Sequence, residues 1–317
     1  MAELDWYLQI NLKARHLRLL VAIDTYRNLT QVADVTHVTV PAVSKALSEI
    51  ERGLGLELFS RTAQGLKPTQ YGECMVRHAH TMLANLHQAR DELKALSSGT
   101  EGKVNIGVLP ASTYLLLPQA LALLKQRSPG TNVMVTEASS ALLLPDLWQG
   151  RLELVVGRLP PPSSLSTFKE RELLEEPVKL MTGRHHPLAR KPKLRWSDLR
   201  DYPWILPPQG SILRDPLERA LQAHDLALSN NYIETLSSHL ARSYLQISDA
   251  IAALAVGVAS DRTLPLYTLP LTLPKMLRPA GVLWNGNRRL SPGARLMVSC
   301  LEEVAARLQS EMAMATG

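Results

Sequence analysis

Cysteine is almost absent from this sequence: 317 residues contain two, Cys74 and Cys300. Two cysteines so far apart build neither a disulfide framework nor a zinc-ligand cluster, and the expectation is a reducing compartment. Long apolar runs are also missing. The longest, Ala250 to Ala259, has about half the length a bilayer crossing needs. The acidic start Met-Ala-Glu-Leu-Asp lacks the charged-then-apolar order of a signal peptide. A soluble, cytoplasmic protein with no membrane partner is expected. Signatures of chemistry are missing in turn: no phosphate loop, no Gly-x-Gly-x-x-Gly and no Gly-x-Ser-x-Gly elbow. His185-His186 lacks a carboxylate or cysteine at ligand spacing and reads as a solvated loop. No catalytic residue, cofactor or metal is therefore expected. Neither charge sign dominates. Lys plus Arg is 35 against 29 for Asp plus Glu, a net +6, with a pI near 9.4. That balance allows an anionic partner without establishing one. Residues 1–96 hold 11 cations and 10 anions, and residues 97–317 hold 24 and 19, so no tail carries the surplus.

What is present is a chain with 45% hydrophobic residues, enough for two or three folded units at about 150 residues each. The first 70 residues are dense in helix punctuation. Leu12 to Tyr26 reads as one helix, and Gln31 to Thr36 as a short second with Thr30 as its cap. A third runs to about Arg52, with Thr39 as cap, Val40 and Pro41 in its first turn, and Gly53 and Gly55 as its stop. Its inward face is Val43, Leu47, Ile50 and Leu54; its outward face is Pro41, Ser44, Lys45, Ser48 and Arg52. Leu58 to Thr69 reads as two extended pieces around Gln64-Gly65, a small wing. Gln70 then opens about 27 helical residues without proline. Met75, Ala79, Met82, Leu86, Ala89, Leu93 and Leu96 follow in steps of four and three, a heptad seam for pairing with another helix. Cys74 beside it reads as packing. Ser97 to Gly102 reads as a linker.

Beyond residue 102 strands and helices alternate. Val104–Val108, Leu115–Arg127, Val133–Val135, Ala141–Gln149 and Leu152–Gly157 give βαβαβ, the signature of a parallel sheet with helical crossovers. Three prolines at 160–162 interrupt it, and a second α/β stretch follows from about Phe168 to Leu271. A last strand, Gly281 to Trp284, and a last helix, Pro292 to Leu308, are read as returning to the first lobe. The fold class is thus α/β overall, a mostly helical N-terminal unit followed by two lobes joined by two crossing segments.

The helix–turn–helix at 30–52 is the strongest motif. Such a pair places its second helix proud of the domain, able to enter a major groove. Thr39, Ser44, Lys45 and Ser48 suit base edges, and Arg61 and Lys67 on the wing suit flanking phosphates. The competing reading is a plain three-helix bundle with a solvated face, which the near-neutral charge of the segment favours. The heptad helix opposes it, since a two-fold operator requires a dimer.

Leu12-Lys13-Ala14-Arg15-His16-Leu17, Thr39-Val40-Pro41-Ala42-Val43-Ser44, Leu58-Phe59-x-Arg61 and Pro68-Thr69-x-x-Gly72 together resemble the N-terminal domain of LysR-type transcriptional regulators. His186-Pro187-Leu188-Ala189 and Trp196-Ser197-Asp198-Leu199 extend the likeness downstream. The resemblance covers the whole chain. It implies a winged helix–turn–helix over 1–69, a linker (dimerisation) helix over 70–96, a hinge over 97–102 and an effector-binding domain over 103–317. That domain is similar to a type 2 periplasmic binding protein, with lobe I at about 103–165 and 276–317 and lobe II at about 166–275. Within the family the chain is similar to regulators of sugar-binding-protein and aromatic-acid catabolic genes. The resemblance implies double-stranded promoter DNA, a small-molecule effector, a homodimer or homotetramer, and RNA polymerase as partners. The family's recognition contacts fall on Val40, Pro41, Ser44 and Lys45, and its wing arginine on Arg61. Two departures stand out. Val40 replaces the usual glutamine and is left a thymine methyl as its target, and Thr36 replaces an apolar residue in the second helix.

In an open α/β sheet, ligands bind beyond the carboxyl ends of strands, at helix N-termini. Ser112 and Thr113, Ser139 and Ser140, and Arg158 follow the first three strands; Gln209, Ser211 and Thr235 occupy matching ends in the second lobe. The resemblance implies the same positions. This set suits an anionic metabolite such as an organic or aromatic acid. The competing reading is that each Ser and Thr simply caps a helix and that Arg158 is a surface residue. The basic run Arg184 to Arg195, on a proline-broken loop, reads as a wet surface. The rival functional class is a solute-binding or enzymatic α/β protein with a helical assembly domain. The lack of a catalytic constellation argues against the enzyme.

Overall fold

The N-terminal unit follows from its helix punctuation. In the computed structural model, which describes residues 2–62, 65–98, 102–109, 114–161, 167–228, 230–259 and 264–316, this unit spans Met1–Leu93 and the second Lys94–Gly317. A helix not foreseen in the sequence, α1 (Ala2–Trp6), continues as a π-helical turn over Tyr7–Asn11. Then come α2 (Ala14–Tyr26), α3 (Leu29–Thr36), α4 (Val40–Leu54), the wing strands β1 (Phe59–Thr62) and β2 (Gly65–Pro68), and α5 (Gln70–Ser98). The cap of α3 is Asn28, not Thr30. Arg27 takes a left-handed φ of 52°, which delivers Asn28 in extended conformation with its amide oxygen accepting from the Thr30 and Gln31 N–H groups at 2.8 and 3.3 Å. Thr39 holds the N-cap position of α4, yet its hydroxyl makes no capping bond; its carbonyl accepts from the Ala42 and Val43 N–H groups. Gly55 ends α4 at φ 67°, where a side chain would be strained. Thr36 is accommodated because its hydroxyl donates to the Val32 carbonyl at 2.6 Å. The core gathers Leu20, Ile23, Val32, Ile50 and Leu58, all fully buried, with Tyr7 from the added turn.

The heptad seam on α5 divides in two. Met75 packs on the head's core and Ala79 is fully buried, so the seam's first third is engaged within the chain rather than left for a partner. Met82, Leu86 and Leu93 stand 43%, 51% and 66% exposed and Ala89 is exposed. Leu96's side chain lies outside the described residues. Ser97 and Ser98 continue the helix instead of opening the linker.

The second unit contains β3 (Lys103–Val108), α6 (Leu116–Arg127), β4 (Asn132–Glu137), α7 (Ser140–Gln149), β5 (Leu154–Arg158) and β6 (Phe168–Leu174). It continues with β7 (Val178–Gly183), β8 (Trp204–Leu206), α8 (Arg214–Gln222), β9 (Tyr232–Glu234), α9 (Ser238–Leu245), β10 (Ile251–Ala255), α10 (Val256–Ala259), β11 (Leu266–Thr268), β12 (Ala280–Asn285) and α11 (Pro292–Thr316). Two five-stranded sheets result, ordered β4-β3-β5-β12-β6 and β11-β7-β10-β8-β9. Both sheets are covered on two faces. The first has α6 and α11 on one side and α7 on the other, and the second has α8 and α9. This burial explains why β5 reads as an unbroken apolar run. Strand β6, expected to open lobe II, instead pairs antiparallel with β12 in the first sheet, where β12 offers an unpaired edge. The chain therefore crosses between lobes at 175–177 and again at 269–279.

His186 departs from the expected solvated loop: it is fully buried, while His185 is exposed. Its Nδ1 accepts from the Leu188 N–H at 3.0 Å and caps a 3-10 turn, Pro187–Arg190. The proton is thereby assigned to Nε2, which meets the Asp249 carbonyl at 3.1 Å. Burial lowers its pKa below the ordinary 6.5. Because the unfolded chain binds the proton more readily, its contribution to stability is full above that value and is lost as pH falls below it. The thermal midpoint of the protein should therefore drop between about pH 7 and about pH 5.5, and His186→Asn should flatten the drop. An identical slope in both proteins would show that His186 titrates freely.

Candidate functional site

The outward face of α4 is set by its buried face. Val43, Leu47, Ile50 and Leu54 are inside, which turns Pro41, Lys45 and Ser48 fully outward and Ser44 halfway. Thr39 is exposed ahead of them. Val40 is half-buried and packs on the core, so only part of its side chain remains for a base. The wing is tied to the helix by Glu51, which the sequence reading did not single out. Its carboxylate accepts from the Leu58 and Phe59 N–H groups at 2.8 and 3.1 Å. The Leu66 N–H donates to the Arg27 carbonyl at 2.8 Å, fixing β2 to the end of α2. Arg61 then reaches back to α4, donating to the Ser44 hydroxyl at 3.5 Å. Lys67 is exposed on the neighbouring strand. Lys45 is 3.9 Å from Glu49, an exposed pair weak enough for a phosphate to displace. Thr39, Pro41, Ser44, Lys45 and Ser48 thus lie on the exposed side of α4 with Arg61 against it, whereas Lys67, paired with Ser60, alternates to the other face of the wing ribbon.

The second site is a cavity of about 130 Å³ within the C-terminal unit. It is bounded by the carboxyl ends of β3, β4 and β5 in one lobe and of β8, β9 and β10 in the other, the position an open α/β sheet reserves for ligands. Ser139, Ser140, Arg158, Ser211 and Thr235 line it, with Ser237 and Ser238 in addition. Leu109, Ile205, Leu206, Ile212 and Leu236 are among its apolar walls. Ser112 and Thr113 lie outside the described residues. Gln209 is exposed on the turn before Gly210 and is not part of the wall. The hydroxyls differ in duty. Thr235 accepts from the Ser237 N–H at 3.0 Å and Ser237 from the Leu240 N–H at 3.1 Å, so both act as caps. Ser139 stands at the N-cap of α7 without a capping bond, and the Ser211 oxygen is buried with no hydrogen-bond partner. A buried hydroxyl left unpaired costs about 1–3 kcal/mol, which a polar ligand atom would relieve. Ser237-Ser238 repeats the hydroxyl-then-helix signal of Ser139-Ser140, so the sequence did contain it.

Arg158 is neither a surface residue nor a free cation. It is 5% exposed, and its guanidinium donates to the carbonyls of Arg278, at 3.0 Å, and of Glu176. Those carbonyls belong to the two segments crossing between the lobes. The Glu176 carboxylate, also buried, lies 4.0 Å away and accepts from the Gly257 N–H at 3.2 Å. Only a glycine lets α10 approach so closely, since a Cβ at 257 would collide with the carboxylate. Burial pushes the Arg158 pKa down and that of Glu176 up, and each charge counters the shift in the other.

Comparison with known proteins bears on both sites. A family model described as LysR substrate binding domain matches residues 97–306, and one described as bacterial regulatory helix-turn-helix protein, lysR family, matches residues 14–73. The chain is similar to the HTH-type transcriptional regulator GbpR of Azospirillum brasilense, 33% identical over 300 residues that cover 94% of this chain and 88% of that one. It is 29% identical to the HTH-type transcriptional regulator PcaQ of Agrobacterium fabrum over 299 residues, 94% of this chain and 96% of that one. Among solved structures, CbnR, a LysR family transcriptional regulator, matches with a TM-score of 0.62 at 17% identity, covering 93% of this chain and 99% of that one. At that identity the likeness concerns the fold.

The buried pair yields a stability prediction. Arg158→Met strands the Glu176 carboxylate and should cost about 3–5 kcal/mol in urea unfolding. The double variant Arg158→Met/Glu176→Leu should recover a good part of that loss. A single variant no worse than the double would mean that the two charges do not support one another.

Proposed function

The chain belongs to the LysR family of bacterial regulatory proteins, and on that premise we propose how its residues divide the work. It is a DNA-binding transcriptional regulator controlled by a small molecule, and not an enzyme. In our reading, α4 enters the major groove of promoter DNA. Thr39, Pro41, Ser44, Lys45 and Ser48 face base edges, Val40 offers its exposed part to a thymine methyl, and Arg61 and Lys67 take flanking phosphates. The observation that carries this is the single exposed face of α4 with Arg61 braced against Ser44. The apolar ridge Met82, Leu86, Ala89 and Leu93 of α5 pairs with the same ridge of a second copy. The family resemblance extends this dimer to a tetramer, with RNA polymerase as a further partner at the promoter and the cytoplasm as its location.

The effector reading rests on the cavity. Its volume of about 130 Å³ is close to the ~150 Å³ of an engineered cavity that accepts one benzene ring. Apolar walls call for a compact apolar body, and the uncapped N-terminus of α7 beside the unpartnered Ser211 hydroxyl favours a carboxylate. We therefore assign the effector to the small organic or aromatic acids. Arg158 contributes positive potential at the cavity wall while its N–H groups hold the lobe crossings. Closure of the lobes on the ligand changes the placement of the DNA-binding heads, provided that the ligand prefers the closed state.

Two measurements test these assignments. Ser44→Ala with Lys45→Ala should weaken binding to a duplex selected by the protein from a random pool by at least about 100-fold, with the oligomer unchanged by light scattering. Undiminished affinity would move the recognition face elsewhere. In calorimetry with a panel of aliphatic and single-ring carboxylic acids, Ser211→Ala should weaken the binding acid about 5–10-fold. Equal affinities would remove Ser211 from the site, and binding of neutral molecules alone would overturn the acid assignment.

A further inference from the structure

We propose that lobe II carries a second DNA-contacting surface, the loop Arg184–Arg200, which takes the phosphate backbone of duplex lying beyond the bases read by α4. The proposal begins with where the charge sits. Residues 97–317 hold 24 cations against 19 anions. Between residues 184 and 200 stand Arg184, Arg190, Lys191, Lys193, Arg195 and Arg200, with Asp198 as the only carboxylate. Everything else in 97–317 balances, 18 against 18, so 17 residues hold the whole surplus of this part of the chain.

Most of these cations have no carboxylate partner, as is also true of Lys103, Lys179, Arg219 and Arg295 among the described residues. Elsewhere in the unit, Arg127, Arg151, Arg171, Arg214, Lys275 and Arg278 each face a carboxylate. In the loop, Lys191 alone does, 2.8 Å from Asp198. Arg200 donates to the Asp225 carbonyl at 3.4 Å. Arg184, Arg190, Lys193 and Arg195 have no carboxylate within ion-pair distance among the described residues, and all four are exposed. Nor is the loop loose. Two 3-10 turns, Pro187–Arg190 and Trp196–Leu199, are capped by His186 and by Asp198, whose carboxylate accepts from the Arg195 N–H at 2.9 Å. Leu188 and Leu199 anchor the turns in the lobe's core. Cations on a fixed backbone lose less freedom when they bind.

The chemistry selects the partner. The loop does not line the cavity, so a small acid would meet no enclosure there. A protein partner needs an apolar centre to bury, and six of the ten exposed residues of this loop are Arg or Lys, with no large apolar side chain among them. A repeating polyanion needs neither, and each phosphate neutralised releases condensed counterions. DNA held by the N-terminal head is also present at high effective concentration.

The test uses the full-length protein with Arg190→Glu, Lys193→Glu and Arg195→Glu combined. Two duplexes share one operator selected from a random pool; one ends at the operator and the other extends about three helical turns on each side. On the long duplex the variant should bind about tenfold more weakly, and its log K against log[salt] slope should be shallower by about 0.9 per lost phosphate contact. On the short duplex it should match the wild type, and Arg190→Lys with Arg195→Lys should retain the wild-type slope on both. The thermal midpoint and oligomeric state should not change. Unchanged binding and slope on the long duplex would overturn the proposal, and so would an equal loss on both. Unchanged DNA binding with reduced transcription by added RNA polymerase would assign the loop to a protein partner and overturn it likewise.

Discussion

One buried guanidinium constrains the C-terminal unit. Arg158 sits at the end of β5 and donates to a carbonyl in each of the two segments that join the lobes. Other bonds also tie these segments, the Val256 N–H to the Pro177 carbonyl at 3.0 Å and the Leu159 N–H to the Pro279 carbonyl at 3.1 Å, but Arg158 is a side chain that bonds to both. The cost of burying the charge is met by Glu176, which is itself held by the Gly257 N–H at the start of α10. Neither ion is comfortable alone in low dielectric. The pair therefore ties the two crossing segments to the end of β5. The cavity lies beside it, with Arg158 in its wall. A ligand that drives a complete switch, from 1:99 to 99:1, must favour one state by about 5.5 kcal/mol. A small cavity with one unpaired hydroxyl is suited to partial shifts.

The DNA-binding head solves a different problem with similar means. Its charge is nearly balanced, 11 cations to 10 anions over residues 1–96, so it cannot rely on a diffuse positive field. Placement has to substitute for quantity. Glu51 fixes the wing to α4 through two backbone N–H groups, and Arg61 is braced on Ser44 from the other strand. Each head then presents a handful of cations in defined positions, which the proposed pairing through α5 doubles across a two-fold operator.

How much of this was legible depended on sequence distance. Helix α4 was readable because its determinants are local: inward residues at three- and four-residue steps, proline in the first turn, glycine at the stop. The wing and α5 were readable for the same reason. Strand β6 was not. Its sequence, FKERELL, has no feature that names its partner, and β12 lies more than a hundred residues onward in the chain. Strand ends point to the hydroxyls that line the cavity, but which of them are engaged in hydrogen bonds is not legible in the sequence. Thr235 is engaged as a cap and Ser211 is not, a distinction made by backbone geometry rather than residue type. Arg158 is legible as a strand-end cation, but its burial and its bonds to the Glu176 and Arg278 carbonyls are not, because Arg278 lies more than a hundred residues along the chain. His186 reads as a loop residue in the sequence, whereas in the fold its ring accepts the Leu188 N–H and closes a turn.

Coupling between the two sites follows from thermodynamics once both exist. If the effector changes DNA affinity by some factor, DNA changes effector affinity by the same factor. Couplings of about 1–3 kcal/mol are typical, which is 5–150-fold. Such a factor requires that both ligands bias one two-state element, a part the proposed dimer could play. The exposed ridge of Met82, Leu86 and Leu93 makes the isolated chain a poor final state, because large apolar side chains in a row favour pairing. Pairing in turn fixes the distance between two recognition helices, and operator DNA accepts only a narrow range of such distances. In the proposed dimer, an effector that changes the pairing is felt at the operator as a lost half-site. Rigid parts are what can carry such a coupling, and the chain has them: Arg158 fixes both lobe crossings and Glu51 fixes the wing to α4 through backbone bonds.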